Sequence, residues 1–428
     1  MNALLSLILL PISLPVSLLL EQIYRLRRFF YRYHLCHFRA TQFPLPLISV
    51  GNIALGGSGK TPLIIWLIKY LKGEREFSSI PLLIISRGYK GGMEKKGGIW
   101  SPSGPADFVL LPDPALVGDE PAMIARQILP GDVLVLGKNR VANLHQFLRG
   151  RCARIYAPRI HAPREYATRW IGLLDDAFQH LKIANDLNIV VIDALLPISK
   201  YRIFPRGYLR EGLSALKYAQ MVIFTRADLL ERSELDRQKK FISTYMSPTT
   251  PIAEVKYSPQ GLYNQFYEQV YGVETLSTMK REKKALRAIA MAATASASST
   301  SFFKMLELLG IELLDKIRFA DHYDFSGKIF KRIGSAKSGR QNFSQLIEYA
   351  RQMDAFVIVT EKDIVKINKL IVDQRILFLG IEINFITGEN EFREVLRNSI
   401  FNKMRQNEEN LSPAPISNSN IAGVVANQ

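Results

Sequence analysis

A glycine-rich segment at residues 50–62, VGNIALGGSGKTP, carries the clearest chemical signal in the chain. Glycines allow several backbone N–H groups to converge on one phosphate, and the dipole of a following helix favours negative charge there. Lys60 can reach the β- and γ-phosphates of a nucleotide, and the Thr61 hydroxyl can bind Mg²⁺. Ala54 stands where the usual pattern has glycine. The segment predicts a nucleotide phosphate site formed by Gly56, Gly57, Ser58, Gly59, Lys60 and Thr61.

Acidic residues suited to a metal follow a later apolar run. The run IGLLDD ends in Asp175 and Asp176. An aspartate at the end of a buried strand is the expected second Mg²⁺ partner in a phosphate-loop enzyme, and its alternative role is to cap a helix. Because Gln179 and His180 follow closely, the pair is too polar to serve only as a cap. We predict that Asp175 and Asp176 bind the metal together with Thr61.

Two further residues have the chemistry of an acid or a base. Asp119 lies in the sequence VGDEP, whose glycine and proline predict a turn that opens a helix. It can cap that helix or accept a proton, and the sequence leaves both roles open. His322 lies beside Asp321, and an aspartate next to a histidine on a loop can orient the imidazole. The alternative is that His322 is an ordinary surface residue.

These residues need a scaffold, which the apolar patterning predicts. Six continuous apolar runs of strand length precede residue 230, and such runs are typical of parallel strands covered on both faces. Stretches of helical length, such as 62–72 and 119–128, alternate with them. The alternation predicts an α/β fold with a phosphate-loop NTPase-like, doubly wound, mostly parallel sheet. The six runs are 46–51, 81–88, 132–137, 171–176, 188–193 and 221–226.

The rest of the chain predicts a second, smaller α/β domain. Apolar runs at 285–291, 355–360 and 375–380 have strand character. The charged, turn-rich segment before them is typical of a connection, and the Asn-, Ser-, Pro- and Gln-rich end is typical of disorder. The predicted organisation is a membrane-associating segment at 1–40, a phosphate-loop domain at 41–230, a connection at 231–285, the smaller domain at 286–398 and a disordered tail at 399–428.

Composition excludes several classes of protein. The chain has 428 residues, of which 47% are hydrophobic and 22% charged, so it is neither disordered nor collagen-like. Two cysteines exclude a disulfide scaffold and a four-cysteine zinc site. The net charge of +17 attracts phosphate in a nucleotide, a nucleic acid or an anionic membrane. No zinc-finger spacing or RNA-binding aromatic motif is present, so we expect no nucleic-acid partner.

The N-terminus has the pattern of a membrane anchor. Residues 3–20 carry no charge, although Pro11 and Pro15 interrupt the run, and about 20 apolar residues are needed to span a bilayer. Five arginines follow between residues 25 and 39. A signal peptide has its charges before the apolar run, whereas basic residues after it stay cytoplasmic and attract anionic headgroups. We expect an anchor that spans the bilayer or lies in its interface; the alternative is a buried helix of a soluble domain.

Seven motifs, in order along the chain, resemble those of the tetraacyldisaccharide 4′-kinase family. The pair VGDEP and DDAFQH is unusual for phosphate-loop proteins in general, which makes the resemblance specific. The apolar, basic N-terminus is also similar to the membrane-associating segment of that family. The motifs are VGNIALGGSGKTP (50–62), SRGYKG (86–91), VGDEP (117–121), DDAFQH (175–180), PRGYLRE (205–211), DHYDF (321–325) and TEKD (360–363).

The resemblance implies a reaction and roles for matching residues. The family transfers the γ-phosphate of ATP to the 4′-hydroxyl of a tetraacylated glucosamine disaccharide 1-phosphate, which gives lipid IVA in lipid A biosynthesis. Lys60 and Thr61 would hold the ATP phosphates and Mg²⁺, Asp119 would take the hydroxyl proton, and His322 would be its partner from the second domain. Gln179, His180, Arg210 and Glu211 would line the phosphate or substrate region. Expected partners are the acylated lipid and an anionic membrane surface, at the cytoplasmic face of the inner membrane, with no protein partner.

Two departures from the family pattern and one rival function accompany this interpretation. Ala177 replaces the usual glycine of the DDGxQH run, and residues 292–300 replace a glycine-rich segment that usually ends in Asn-Pro. The rival is a membrane-associated switch ATPase or GTPase without a small-molecule acceptor. A GTPase needs an Asn/Thr-Lys-x-Asp guanine reader, and TEKD at 360–363 has that spacing about 300 residues after the phosphate loop.

Overall fold

The structure is a computed structural model that describes residues 3–102, 113–149, 170–293, 296–320, 323, 325, 330–331, 340–341 and 343–411. Its strands are β1 Leu47–Gly51, β2 Leu82–Ser86, β3 Gly98–Trp100, β4 Val133–Leu136, β5 Ile171–Asp175, β6 Leu187–Asp193, β7 Met221–Thr225, β8 Ile252–Asn264, β9 Gln269–Gly272, β10 Arg287–Ala293, β11 Glu312–Phe319, β12 Phe330–Lys331, β13 Arg340–Gln341, β14 Phe356–Thr360 and β15 Ile376–Thr387. Its α-helices are α1 Ala3–Arg32, α2 Lys60–Gly73, α3 Met93–Lys96, α4 Pro114–Val117, α5 Asp119–Ala125, α6 Arg140–Arg149, α7 Arg232–Ser243, α8 Val273–Arg281, α9 Ser296–Leu308, α10 Phe343–Gln352, α11 Glu361–Ile367 and α12 Glu389–Leu411.

The nine predicted strands are all present, and they belong to one sheet. Its order is β11-β10-β14-β15-β8-β7-β6-β1-β5-β2-β4-β3, with β9 paired to β8. The strands from β4 to β8 in this order are parallel to one another, and so are those from β11 to β15. The mostly parallel α/β fold expected from the sequence is therefore confirmed.

Continuous apolar runs form these strands because both faces of the sheet are covered. Side chains alternate between faces along a strand. Ile84 packs into the cluster that includes α2 and α12, whereas its neighbours Leu83 and Ile85 pack on the opposite face against α6. A run without polar interruptions is the consequence, and full burial of such a side chain contributes roughly 1.5–3 kcal/mol.

The long strand β8 joins two parts of the sheet. In the strand order given above, the first part runs from β4 to β8 and the second part from β11 to β15. Strand β8 is parallel to β7 at Val255 but antiparallel to β15 at Leu262, so the two parallel sets run in opposite directions. The carboxyl end of β7 lies beside Val255, and that of β14 lies level with Leu262. Seven residues at about 3.3 Å each separate these levels by about 23 Å. The carboxyl ends of both sets therefore face one space, and ligands of α/β sheets bind at such ends.

Two segments differ from the expectation based on composition. Residues 231–285, predicted as a connection, contain α7, α8, β9 and the strand β8 that joins both parts of the sheet. Residues 399–411, predicted as part of a disordered tail, belong to α12. That helix packs Phe392, Leu396 and Ile400 into the core of the first part, because its apolar residues share one helical face. Residues beyond 411 lie outside the described part.

The N-terminal segment forms the helix α1, which docks against the first part of the sheet. The Ser17 hydroxyl donates a hydrogen bond to the Ile203 carbonyl at 3.1 Å, and Leu20 and Tyr24 pack on the neighbouring apolar cluster. Among the helices described here, none is long and apolar enough to cross a membrane.

Candidate functional site

A cavity of about 770 Å³ occupies the space between the opposed carboxyl ends. The phosphate loop, α5 and the end of β5 line it from the first part of the sheet. The beginnings of α9 and α11 and a stretch of β15 line it from the second part. Side chains of β8 form the wall between them. Of the predicted site residues, the cavity brings together Gly56, Gly57, Ser58, Gly59, Lys60, Thr61, Asp119, Asp175, Asp176 and Arg210.

The phosphate loop has the backbone that its sequence requires. Gly56 and Gly59 adopt φ values of 104° and 91°, which L side chains rarely tolerate. A Cβ on Gly59 would also collide with the Tyr257 hydroxyl. The helix α2 then begins at Lys60, so its N–H groups and its dipole point at the loop. The loop therefore has a backbone suited to an anion, and the binding of a nucleotide phosphate there stays a prediction.

Asp176 is the acidic partner of Lys60, the lysine that ends the phosphate loop. Its Oδ1 lies 3.5 Å from Lys60 Nζ, and its Oδ2 accepts a hydrogen bond from Arg210 Nη1 at 2.8 Å. Burial by itself would raise the pKa of Asp176, but Lys60 and Arg210 outweigh it and lower the pKa to about 2. Asp176 is thus ionised at neutral pH, and it holds Lys60 and Arg210 beside the phosphate loop.

Asp175 has the opposite electrostatic environment. Burial, with Glu120 and Asp176 as neighbouring negative charges, raises the pKa of Asp175 to about 6. Its Oδ2 accepts a hydrogen bond of 2.8 Å from the Ser86 hydroxyl. The guanidinium of Arg140 donates to the backbone carbonyls of Asp175 and Asp176 at 2.6 and 3.1 Å. This pair of carboxylates is held from behind by its backbone, which leaves the side chains to face the cavity.

The donor set fits a magnesium ion bound together with phosphate. The Oδ1 atoms of Asp175 and Asp176 are buried without a hydrogen-bond partner, and such oxygens are ligands that Mg²⁺ prefers. The Thr61 hydroxyl is on the same cavity. Within the described residues, no group of three or more His, Cys, Asp and Glu side chains is arranged so that it could hold a metal ion by itself. Mg²⁺ would accordingly take protein ligands from Thr61 and the two aspartates and its remaining ligands from phosphate and water.

Asp119 lies at the start of α5, and α5 contacts the helix α11, which follows β14 of the second part of the sheet. Its Oδ2 is 3.1 Å from Nζ of Lys366 on α11, and the neighbouring Glu120 is 3.8 Å from Lys362. Asp119 therefore faces both the cavity and a lysine that sequence reasoning did not single out. His322, its predicted partner, lies outside the described residues, so their pairing stays a prediction.

Three predicted residues of the phosphate or substrate region lie away from the lining of the cavity. The Gln179 amide donates to the carbonyl of Asn52, below the phosphate loop, at 2.7 Å. Burial and the nearby cations lower the pKa of His180 to about 4. Glu211 is buried and forms an ion pair with Arg28 of α1. In this structure Gln179 supports the phosphate loop and Glu211 holds the N-terminal helix. The sequence alone did not indicate these roles, because the partners lie in segments distant in sequence.

Sequence reasoning missed Arg226 at the end of β7. It adopts a left-handed backbone, with φ of 58°, and its buried guanidinium pairs with Asp193. It donates to the Gly57 carbonyl at 3.3 Å and to the Ser298 hydroxyl at 2.6 Å. Ser298 belongs to the segment 292–300 that departs from the family pattern. The one sequence signal that could have identified Arg226 as a site residue is its position directly after a buried strand, where a cation is placed at the end of the sheet.

The TEKD segment is a helix start. The Thr360 hydroxyl accepts a hydrogen bond from the backbone N–H of Asp363, which caps α11. Asp363 is fully buried and its Oδ2 accepts a hydrogen bond of 2.9 Å from the Ala293 N–H. A buried carboxylate with these partners cannot bind a guanine base. The Thr-x-x-Asp spacing that suggested a GTPase is instead the spacing of a helix cap.

Comparisons with known proteins show which family the chain belongs to. The family model described as tetraacyldisaccharide-1-P 4′-kinase matches residues 9–401. The tetraacyldisaccharide 4′-kinase of Halothermothrix orenii is 32% identical over 398 residues, which cover 90% of this chain and 92% of that protein. That of Desulfatibacillum aliphaticivorans is 31% identical over 82% of each chain. A crystal structure of LpxK from Aquifex aeolicus in complex with ATP has the same fold, with a TM-score of 0.61 and 24% identity over 90% of this chain and 98% of that one. Because the matched region includes both parts of the sheet that enclose the cavity, this chain belongs to the tetraacyldisaccharide-1-P 4′-kinase family.

Proposed function

We propose that this chain is an ATP-dependent kinase that phosphorylates the 4′-hydroxyl of a tetraacylated glucosamine disaccharide 1-phosphate and so produces lipid IVA for lipid A. The carrying observation is the placement of Lys60 and Asp119 on one cavity. A phosphate-binding lysine and a carboxylate able to take a proton are the two groups that a kinase must bring to one point. The relatives named above carry the name of this activity.

The phosphate side of the reaction depends on charge. The oxygen of the acceptor attacks the γ-phosphorus, the bond from that phosphorus to ADP breaks, and negative charge moves onto the leaving oxygens. Lys60 lies where that charge develops, and Arg210 lies beside it through their common partner Asp176. Mg²⁺ held by Thr61, Asp175 and Asp176 would neutralise further charge on the phosphates. Fixed groups of this kind stabilise a transition state without reorganisation.

Asp119 supplies the acceptor for the proton. The 4′-hydroxyl must lose its proton as its oxygen bonds to phosphorus, and a positioned carboxylate makes this step easier by about 10²–10⁴-fold. Asp119 opens α5, whose entry glycine Gly118 has a φ of 95°. The reaction leaves ADP, the phosphorylated lipid and one proton on Asp119, which solvent then removes.

The helix α1 has the surface that a lipid substrate requires. One of its faces docks on the protein through Ser17, Leu20, Tyr24 and Arg28. Another face exposes apolar side chains at helical spacing, namely Leu19, Ile23, Leu26 and Phe29, and Tyr33 directly after the helix is exposed as well. An exposed apolar stripe flanked by arginines lies in a membrane interface and attracts anionic headgroups. We propose that α1 brings the enzyme to its acylated substrate at the cytoplasmic surface of the inner membrane.

Transfer of radiolabel tests the proposal directly. Purified protein is incubated with γ-labelled ATP, Mg²⁺ and the tetraacylated disaccharide 1-phosphate in detergent micelles. Label is expected in a lipid product from the wild type and not from Lys60→Ala. Label released only as inorganic phosphate would indicate an ATPase and overturn the kinase assignment.

A further inference from the structure

A row of lysines on one face of α11 and its continuation meets acidic residues of the first part of the sheet. Lys362 and Lys366 are four residues apart, and Lys369 follows three residues later, which places them along one side of a helical turn. Their partners are Glu120 at 3.8 Å, Asp119 at 3.1 Å and Asp113. We call these three ion pairs the lysine seam.

The middle pair of the seam differs from the outer pair in its surroundings. The side chains of Lys366 and Asp119 are 14% and 17% exposed, whereas those of Lys369 and Asp113 are 36% and 46% exposed. Lys366 Nζ also lies 3.9 Å from an oxygen of the buried Asp363. Solvent screens the interaction of the outer pair, whereas it screens the interaction of the partly buried middle pair much less.

We propose that Lys366 is a positioning residue for phosphoryl transfer, which keeps the carboxylate of Asp119 ionised and fixed while the nucleotide is bound. The proposal rests on the function proposed above, in which Asp119 takes the proton of the acceptor. A protonated carboxyl group cannot accept that proton. The second part of the sheet would then contribute to the chemistry through α11 and not only as a cover.

The electrostatics of the cavity explain why Asp119 needs a cation. Negative charges near it are Glu120, Asp175 and Asp176, and bound ATP adds more. Like charges favour the protonated form, whereas an opposite charge within about 4–6 Å lowers the pKa of an aspartate by about 1–3. Lys366 lies within ion-pair distance of Asp119, with 3.1 Å between its Nζ and Oδ2 of the carboxylate. The charged groups on the helices packed against α5 are Glu361, Lys362, Asp363 and Lys366 of α11, and Lys60, Lys69 and Lys72 of α2.

The test measures kcat between pH 5.5 and 9 for the full chain, with saturating ATP, Mg²⁺ and lipid acceptor in micelles. In Lys366→Met the acidic limb of the profile should move up by about 1–3 pH units. The rate should consequently fall more at pH 5.5 than at pH 9, with the KM for ATP nearly unchanged. Lys366→Arg should restore most of the wild-type profile, because it keeps the charge.

Lys369→Met is the matched control, since it removes a seam lysine that contacts neither Asp119 nor the cavity. Its pH profile should equal that of the wild type. Lys366→Gln is a second neutral variant in case the methionine variant melts below the assay temperature. In an Asp119→Asn background, Lys366→Met should cause no further shift of the profile.

A loss of rate by the same factor at every pH would overturn the proposal, as would a shift of equal size in Lys369→Met. A wild-type protein that transfers no phosphate to lipid would refute the proposed function itself. The two failures are therefore distinguishable.

Discussion

The ion pair between Arg28 and Glu211 makes a sharp prediction about how α1 is held. Their side chains are 9% and 6% exposed, and Arg28 Nη2 donates to Glu211 Oε2 at 2.8 Å. The same atom donates to the Phe178 carbonyl at 3.0 Å. The guanidinium carbon lies 4.6 and 5.0 Å from the ring centroids of Phe178 and Tyr218. A single arginine thus joins α1 to the segment that follows Asp175 and Asp176.

The expected cost follows from burial. Removing one partner of a buried ion pair leaves the other charge uncompensated and costs about 3–5 kcal/mol. Arg28→Ala also loses two cation–π contacts of roughly 0.5–2 kcal/mol each. The free energy of unfolding of a domain is only about 5–15 kcal/mol, and local opening costs less than global unfolding. We therefore expect α1 to detach before the sheet unfolds. In Arg28→Met combined with Glu211→Leu, the loss should be smaller than in either single variant, since no charge is left buried.

Hydrogen exchange of the α1 amides, measured by mass spectrometry, reports this detachment directly. Arg25→Ala is the matched control on the same helix, because Arg25 is 54% exposed and pairs only at the surface with Glu21. A surface pair of this kind contributes about 0.3–0.5 kcal/mol. Protection of α1 in Arg28→Ala that equals protection in Arg25→Ala would refute the reasoning from burial.

Four further predictions concern the candidate site and the N-terminal helix. Lys60→Ala should nearly abolish turnover in a protein that remains folded, and near-normal turnover would contradict the loop assignment. Deletion of residues 1–20 should release protein from membranes and lower lipid turnover more than ATP binding, as co-sedimentation with anionic vesicles and a nucleotide titration can show. Asp119→Ala and His322→Ala should each lower kcat by about 10²–10⁴-fold, and the double variant should be little worse than the poorer single one, as steady-state kinetics would establish. The raised pKa of Asp175, about 6, means that the native state binds its proton more tightly than the unfolded chain; stability is therefore lost as pH rises from about 4 to about 6. Asp175→Asn should stabilise the protein by at most about 3 kcal/mol at pH 7.5 and not at pH 4, in denaturant titrations at both values.

Local features of the sequence determined much of this protein. A strand buried on both faces must be apolar throughout, so the nine apolar runs identified nine of the fifteen described strands without tertiary information. The left-handed backbone of the phosphate loop needs glycine at Gly56 and Gly59, and the lysine and threonine that follow need the start of a helix. These requirements act within a few residues of chain, which is why the order of residues alone predicted the phosphate site and the ends of β1 and β5.

Contacts between distant segments were decided only by the tertiary structure. The turn-rich composition around β8 gave no indication that one strand would pair in parallel on one side and antiparallel on the other. Glu211 holds Arg28 across 183 residues, and Lys366 reaches Asp119 from another part of the sheet. A charged side chain has the same local pattern whether it faces substrate, solvent or a buried partner. Its role is set by what the fold places within a few ångströms of it, since burial and neighbouring charge determine both its energy and its protonation.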